Sequence, residues 1–99
     1  MTILTVLKDG ILTLSVDGRI DANSSSQLQS AILSAFQKSV HIVIDFTKVS
    51  YISSIGLRAL LIGQKTANSK RALMELRNVS PPVLKILESV GFTDILTIC

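Results

Sequence analysis

Cysteine is almost missing from this chain of 99 residues: there is one, Cys99, at the last position. A lone cysteine makes no internal disulfide, and nothing in the sequence has the spacing of a metal-ligand cluster, so neither a metal nor a cofactor is expected. Aromatics are scarce too, three phenylalanines and one tyrosine with no tryptophan, which leaves an aliphatic core. No apolar run approaches a membrane span, and the first residues alternate polar and apolar rather than joining a charged start to a long apolar stretch. A soluble, cytoplasmic protein is the expectation, without membrane insertion. There is no Gly-rich phosphate loop, so the chain is not expected to use a nucleotide itself. There is no Gly-x-Ser-x-Gly elbow and no His/Asp set for hydrolysis. His41, the single histidine, has no Cys, His or paired carboxylate near it in sequence and reads as structural or surface. An enzyme is therefore the least supported class. Charge of one sign is only mildly in excess, +3 with a pI of about 9.4, and the basic residues are scattered. A solvated surface explains that better than a nucleic-acid or membrane partner.

What is present alternates between strand and helix patterns within the length of one small domain, residues 1–99. Residues 2–7 and 11–16 read as strands joined by the Lys8-Asp9-Gly10 turn, with Leu12, Leu14 and Val16 on one side of the second. Asp17-Gly18 breaks or bends that strand, and Arg19-Ile20 is a short continuation. Ser24 and Gln27 have the spacing of a capping box, followed by Leu28, Ile32 and Ala35 or Phe36 on one helical face. Residues 40–46 are nearly all apolar and β-branched, as in a central strand covered on both faces. A second helix is expected over residues 55–69, with Leu57, Leu60, Leu61 and Gln64 in a stripe. Residues 73–76 suggest a short strand. Ser80-Pro81 starts a third helix that buries Val83, Leu84, Leu87 and Val90 and ends at Gly91. Residues 95–98 either form a last edge strand or fray. The fold class is α/β, a mixed central sheet packed with helices; the strands at 40–46 and 73–76 are joined through a helix, which favours parallel pairing.

The most informative stretch is Asp45-Phe46-Thr47-Lys48-Val49-Ser50-Tyr51-Ile52-Ser53-Ser54-Ile55-Gly56-Leu57-Arg58. It leaves a strand and enters a helix through two adjacent serines. A helix start has unpaired N–H groups and a partial positive charge, which favour a phosphate there. A serine hydroxyl at that point can be switched by phosphorylation, although either serine also suits a plain capping role.

With these residues the chain resembles a STAS domain of the anti-sigma-factor antagonist family, over nearly its whole length. Gly18-Arg19-Ile20-Asp21-Ala22-Asn23-Ser24 with Leu28 is similar to the family's Gly-x-Leu-Asp-x-x-Thr/Ser segment. The stretch from Asp45 to Leu57 resembles the strand, loop and helix start that carry its regulatory serine. Asn78-Val79-Ser80-Pro81-Pro82-Val83 and Val90-Gly91-Phe92 resemble the start and end of its last long helix. The resemblance implies a STAS fold and puts the phosphorylated serine at Ser54, with Ser53 as the alternative. The residue before that serine is commonly Asp in the family and here is Ser53; the residue after it is commonly small and here is Ile55.

The mechanism implied is partner switching. An unmodified antagonist binds a serine kinase that doubles as an anti-sigma factor, which frees the sigma factor. Phosphorylation by that kinase separates the pair, and a PP2C-type phosphatase restores the hydroxyl. The antagonist is expected to be monomeric when free and to touch no nucleic acid. The partner-binding surface is assigned to Asp21, Ser53, Ser54, Ile55, Gly56, Arg58, Ile62 and Lys65. Of these, Ile55, Arg58, Ile62 and Lys65 share a helix face rotated away from Leu57, Leu60 and Leu61. Ile62 suits the core margin equally well, and Asp21 suits a turn or cap as well as a contact or an orienting role for the serine. Two other outputs fit the same domain: a non-phosphorylated STAS subunit of a membrane lipid-transport complex, and an antagonist controlling a non-sigma output such as secretion.

Overall fold

A computed structural model describes residues 1–99. Thr2–Lys8 (β1) and Ile11–Ile20 (β2) form a hairpin. Asp9 and Gly10 both have positive φ, 54° and 79°, the pattern of a primed two-residue turn whose twist matches its strands. There follow Ser25–Phe36 (α1), His41–Ile52 (β3), Ser54–Lys70 (α2), Leu73–Arg77 (β4) and Pro81–Ser89 (α3), then a short 3-10 turn, Phe92–Asp94, and Thr97–Ile98 (β5). The sheet order is β1-β2-β3-β4-β5; the first pair is antiparallel and the other three are parallel. Each parallel pair is joined through a helix, and all three crossovers step the same way across the sheet. Right-handed crossovers then put all three helices on one face. The core lies between that face and the helices. Leu12, Leu14, Ile42, Ile44, Phe46, Met74 and Leu76 of the strands meet Leu28, Ile32, Leu57, Leu60, Val83 and Leu87, all buried. Burying each such side chain contributes about 1.5–3 kcal/mol.

The expected elements are all present, and β3 is the central strand, with several boundaries and coverings corrected. Of the two readings of Asp17-Gly18, the bend holds: Arg19-Ile20 continue β2, through register shifts at Ser15/Asp17 and Gly18/Arg19. Gly18, at φ 122°, adopts the backbone that the shift requires. That extension pairs with residues 48–52, so β3 continues past residue 46 to Ile52. Val40 lies outside it and is exposed. Ser24 and Gln27 form no capping box: the Ser24 hydroxyl donates to the Arg19 carbonyl oxygen (2.7 Å) and accepts from the Asp21 N–H (3.0 Å). In α3 only Val83 and Leu87 are fully buried; Leu84 is half-buried, and Val90, the C-cap ahead of Gly91 (φ 77°), is exposed. In α2 the stripe holds Leu57, Leu60 and Gln64, with Leu61 half-buried at its margin.

Nor is β3 covered by helices on both sides. Its second face, with the same face of β4, carries His41, Val43, Asp45, Glu75 and Arg77, and no helix packs there. Val43 and Glu75 are nevertheless buried, sheltered by neighbouring strands. The Glu75 carboxylate takes hydrogen bonds from Cys99 Sγ (3.1 Å) and Arg77 Nη2 (3.2 Å) and contacts His41 Nε2. The Cys99 bond is the largest influence on Glu75, and against the opposing effect of burial, with help from His41 and Arg77, it holds the carboxyl below its ordinary pKa. The same bond pushes the Cys99 thiol up. A raised thiol pKa means less thiolate at a given pH, so Cys99 should react slowly with an aromatic disulfide reagent at pH 8 despite its exposure. Removing the anion in Glu75→Gln should speed that reaction several-fold, read as thiolate release by absorbance. Equal rates in the two proteins would refute the coupling.

Candidate functional site

The strand-to-helix junction is fixed from three directions. Ile20 and Ile52, the last residues of β2 and β3, are register partners and both are buried. Immediately after them the Ser53 N–H donates to the Ile20 carbonyl oxygen at 2.8 Å, which ties the serine pair to the end of β2. Ser53 is the N-cap of α2: extended backbone (φ −89°, ψ 171°), Oγ accepting from the Gly56 N–H at 3.2 Å, carbonyl accepting from the Leu57 N–H at 2.9 Å. Its hydroxyl is therefore committed to the helix start. Ser54 is the first residue of α2, exposed, and its hydroxyl makes no hydrogen bond within the fold. No acidic residue stands in the first turn to neutralise the positive helix end.

Gly56, expected among the contact residues, is buried and serves the junction instead. A Cβ there would lie 2.6 Å from Ile20 Cγ2 and 2.8 Å from Ile52 Cγ1. The absence of a side chain lets the helix start close on the ends of both strands. The outer face of α2 is as the spacing predicts: Ile55 is 50% exposed, Arg58 and Lys65 are exposed, and Ile62 is half-buried at the core margin. Ser54 and Arg58 are four residues apart and hence neighbours on that face.

Asp21 lies just beyond the Ile20 carbonyl that holds Ser53, but its carboxylate is turned to its own loop. Oδ1 accepts from the Asn23 N–H (3.0 Å), the Ser24 N–H and the Ser24 hydroxyl (both 3.2 Å). The Asn23 bond is the main reason its pKa is lowered, so the turn keeps its anion at ordinary pH. The turn role weighed for Asp21 is thus filled, and it orients neither junction serine by a hydrogen bond.

Two features at this end of the molecule went unread in the sequence. Arg19 stacks over the Tyr51 ring, 4.4 Å to the centroid, and Tyr51 is half-open to solvent. Their pairing depends on the bulged register of β2, which no periodicity reveals. Asp45, in the quoted stretch, ties β3 to the loop before α3: Oδ1 accepts from the Thr47 N–H (2.9 Å), the Thr47 hydroxyl and the Asn78 amide (3.1 Å). Burial opposes its ionisation, but those bonds prevail and hold its pKa down. Chemically, the junction offers one exposed hydroxyl without a hydrogen-bond partner at a positive helix end.

The fold recurs in known proteins. An anti-sigma F factor antagonist of Paenibacillus polymyxa is 29% identical over 91 residues, which cover 90% of this chain and 78% of that protein. An anti-sigma-B factor antagonist of Listeria monocytogenes is 30% identical over 89 residues, 88% of this chain and 77% of that one. The structure of the Bacillus anti-sigma factor antagonist SpoIIAA superposes at 19% identity in both its unphosphorylated form (TM-score 0.76) and its phosphorylated form (0.75). The matches cover 99% of this chain and 87% and 91% of the respective SpoIIAA chains. No helix here is long and apolar enough to cross a membrane. The sequence pattern of the STAS domain matches residues 2–99, and the chain belongs to the STAS domain family.

Proposed function

We propose that this chain is an anti-sigma-factor antagonist that works by partner switching, with Ser54 as the switch. In the unmodified state it binds a serine kinase that is also an anti-sigma factor, and so frees the sigma factor. The kinase then moves the γ-phosphoryl group of ATP onto Ser54 Oγ; ADP leaves, the hydroxyl proton passes to a base of the kinase, and the complex separates. A PP2C-type phosphatase hydrolyses the phosphoserine and resets the cycle. The observation that carries this reading is the division of labour at the junction. Ser53 caps the helix, which leaves Ser54 with a free, exposed hydroxyl. A phosphate there suits its own helix end and sits one turn from the Arg58 guanidinium. The domain therefore needs no refolding to hold it, and the loss of affinity falls on the partner's side.

Ile55, Arg58, Ile62 and Lys65 form the proposed contact face, with Asp21, Arg19 and Tyr51 at its rim. Arg58→Glu should weaken kinase binding by tenfold or more while the thermal midpoint stays within a few degrees, because the side chain is exposed and holds no partner in the fold. Unchanged affinity by calorimetric titration would move the interface off this face. The decisive test of the switch is fragment mass spectrometry after incubation with ATP and the cognate switch kinase. One phosphoryl group on Ser54 is the expected result. A group on Ser53 would correct the site, and none despite tight binding would point to a non-phosphorylated STAS subunit.

A further inference from the structure

The end of the sheet farthest from Ser54 has a chemistry of its own. β2, β3 and β4 are parallel, so their starts lie together, and β1 ends beside the start of β2. The C-termini of α1 and α2 return the chain to the same end. Three chain reversals meet there: residues 8–10, 37–40 and 70–72. The Ser39 hydroxyl ties two of them by donating to the Gly10 carbonyl oxygen (2.6 Å), and the Leu73 N–H ties the third by donating to the Val40 carbonyl oxygen (2.8 Å).

These reversals carry Lys8, Lys38, Lys70 and Arg71, all exposed, against the one acid Asp9. That excess equals the whole net charge of the chain, +3; the other six basic and six acidic residues cancel. Among the lysines stand exposed aliphatic side chains, Val40 at 69% and Leu73 at 41%. Lys8, Ile11, His41 and Leu73 are register neighbours across four strands, a row of about 15 Å. In a chain whose basic residues looked scattered, the fold gathers the uncompensated ones.

We propose that this end docks on an anionic phospholipid surface, with Val40 and Leu73 entering the headgroup layer and the four basic residues meeting lipid phosphates. Basic residues interleaved with exposed aliphatic tips fit an interface that is charged outside and apolar just beneath. A nucleic acid would use the charge but leave the exposed aliphatics in water, and no aromatic stands here to stack on a base. The inference does not rest on the switch reading. Because β3 separates the two ends, a lipid-bound molecule would keep Ser54 and the outer face of α2 free for a partner.

Co-sedimentation with vesicles tests it. The full chain should sediment with vesicles of equal parts phosphatidylglycerol and phosphatidylcholine at low salt. It should stay in solution with phosphatidylcholine alone, or when salt is raised to about 0.5 M. Lys38→Glu with Lys70→Glu should lower partitioning about tenfold, and Val40→Asp several-fold, whereas Lys85→Glu on α3 should change it less than about twofold. All four substituted positions are exposed, so folding is not at issue. The proposal is overturned by absence of sedimentation with the anionic vesicles, by equal loss in Lys85→Glu, or by a DNA duplex that binds with the same lysine dependence where vesicles do not.

Discussion

Ser54→Asp is expected to weaken the complex with the switch kinase by about a hundredfold, and Ser54→Ala to bind as tightly as the native chain and never be released by ATP. The magnitude follows from placing charge in an interface. Two like charges about 4 Å apart repel by about 4 kcal/mol at an effective dielectric of 20, and each 1.4 kcal/mol is tenfold in affinity. A carboxylate carries less charge than a phosphate, so the aspartate should reach only part of the full effect. Neither change should unfold the domain. Ser54 is exposed and its hydroxyl has no partner to lose, and an acid at the first helical position favours the helix. The neighbour is the control. Ser53→Ala removes the bond to the Gly56 N–H at 3.2 Å and should cost about 1 kcal/mol of stability yet leave phosphorylation in place. Calorimetric titration of each variant against the kinase, with and without ATP, measures all three. An Asp variant that binds as well as the native serine would remove the charge-repulsion account.

The parts of the fold legible in the sequence are those set by local periodicity. Leu12, Leu14 and Val16 alternate as a half-buried strand must, and the structure buries all three. Leu28, Ile32, Ala35 and Phe36 likewise mark the inner face of α1. What periodicity cannot convey is where two strands slip past each other. Asp17-Gly18 has the composition of a break, and Gly18 does have a backbone few residues adopt. It serves a bulge that lengthens β2 and β3 together instead of ending either. The same limit produced the capping box at Ser24 and Gln27: the spacing suits one, but the Ser24 hydroxyl is turned back to the end of β2, where it donates to the Arg19 carbonyl oxygen and accepts from the Asp21 N–H instead of a helix N–H. Single-face coverage of β3 was likewise hidden, since Val43 and Glu75 are buried by neighbouring strands rather than by helices, and an apolar run looks the same either way.

At the candidate site the motif located the junction but not the roles within it. Two adjacent serines at a helix start are equivalent on paper; the backbone at Ser53 alone has the extended geometry of an N-cap, and that separates the capping hydroxyl from the free one. Gly56 looked like part of a surface motif because it sits two residues after the serine. Only the packing of Ile20 and Ile52 around it identifies it as a fitting point. Arg19 and Tyr51 left no trace in the sequence, since they are far apart along the chain and meet through a shifted register. The basic end is the plainest case. Lys8, Lys38 and Lys70 are thirty residues or more apart and count as scattered until three parallel strands bring their reversals together.

Gly56 therefore supports the second large effect. Gly56→Ala should destabilise the domain by about 1–2 kcal/mol, and Gly56→Val by about 3, where a helical glycine in open space would gain about 1 on becoming alanine. The difference is the fit against β2 and β3. An added Cβ at 2.6 and 2.8 Å from two buried isoleucine side chains, with the Ile20 carbonyl oxygen at 3.1 Å behind them, has nothing flexible to displace. The helix start must back away, and with it go the Ser53 cap and the bond from the Ser53 N–H to Ile20. Loss of stability and loss of kinase affinity should then appear together in this one variant, although residue 56 never reaches the surface. Gly63 supplies the contrast on the same helix. A Cβ there would lie 2.9 Å from Ile32 Cγ2 and 3.0 Å from Met74 Sδ; the methionine thioether can swing aside, and the Ile32 methyl has less to yield than the isoleucines at Gly56. Gly63→Ala should thus cost less than Gly56→Ala, about 0.5–1 kcal/mol, the helix-propensity gain offsetting part of the crowding. Urea unfolding midpoints for the three variants separate the cases. Equal midpoints for Gly56→Ala and Gly63→Ala would mean that the junction gives way easily, and that Ser54 is positioned by something other than the close approach of α2 to Ile20 and Ile52.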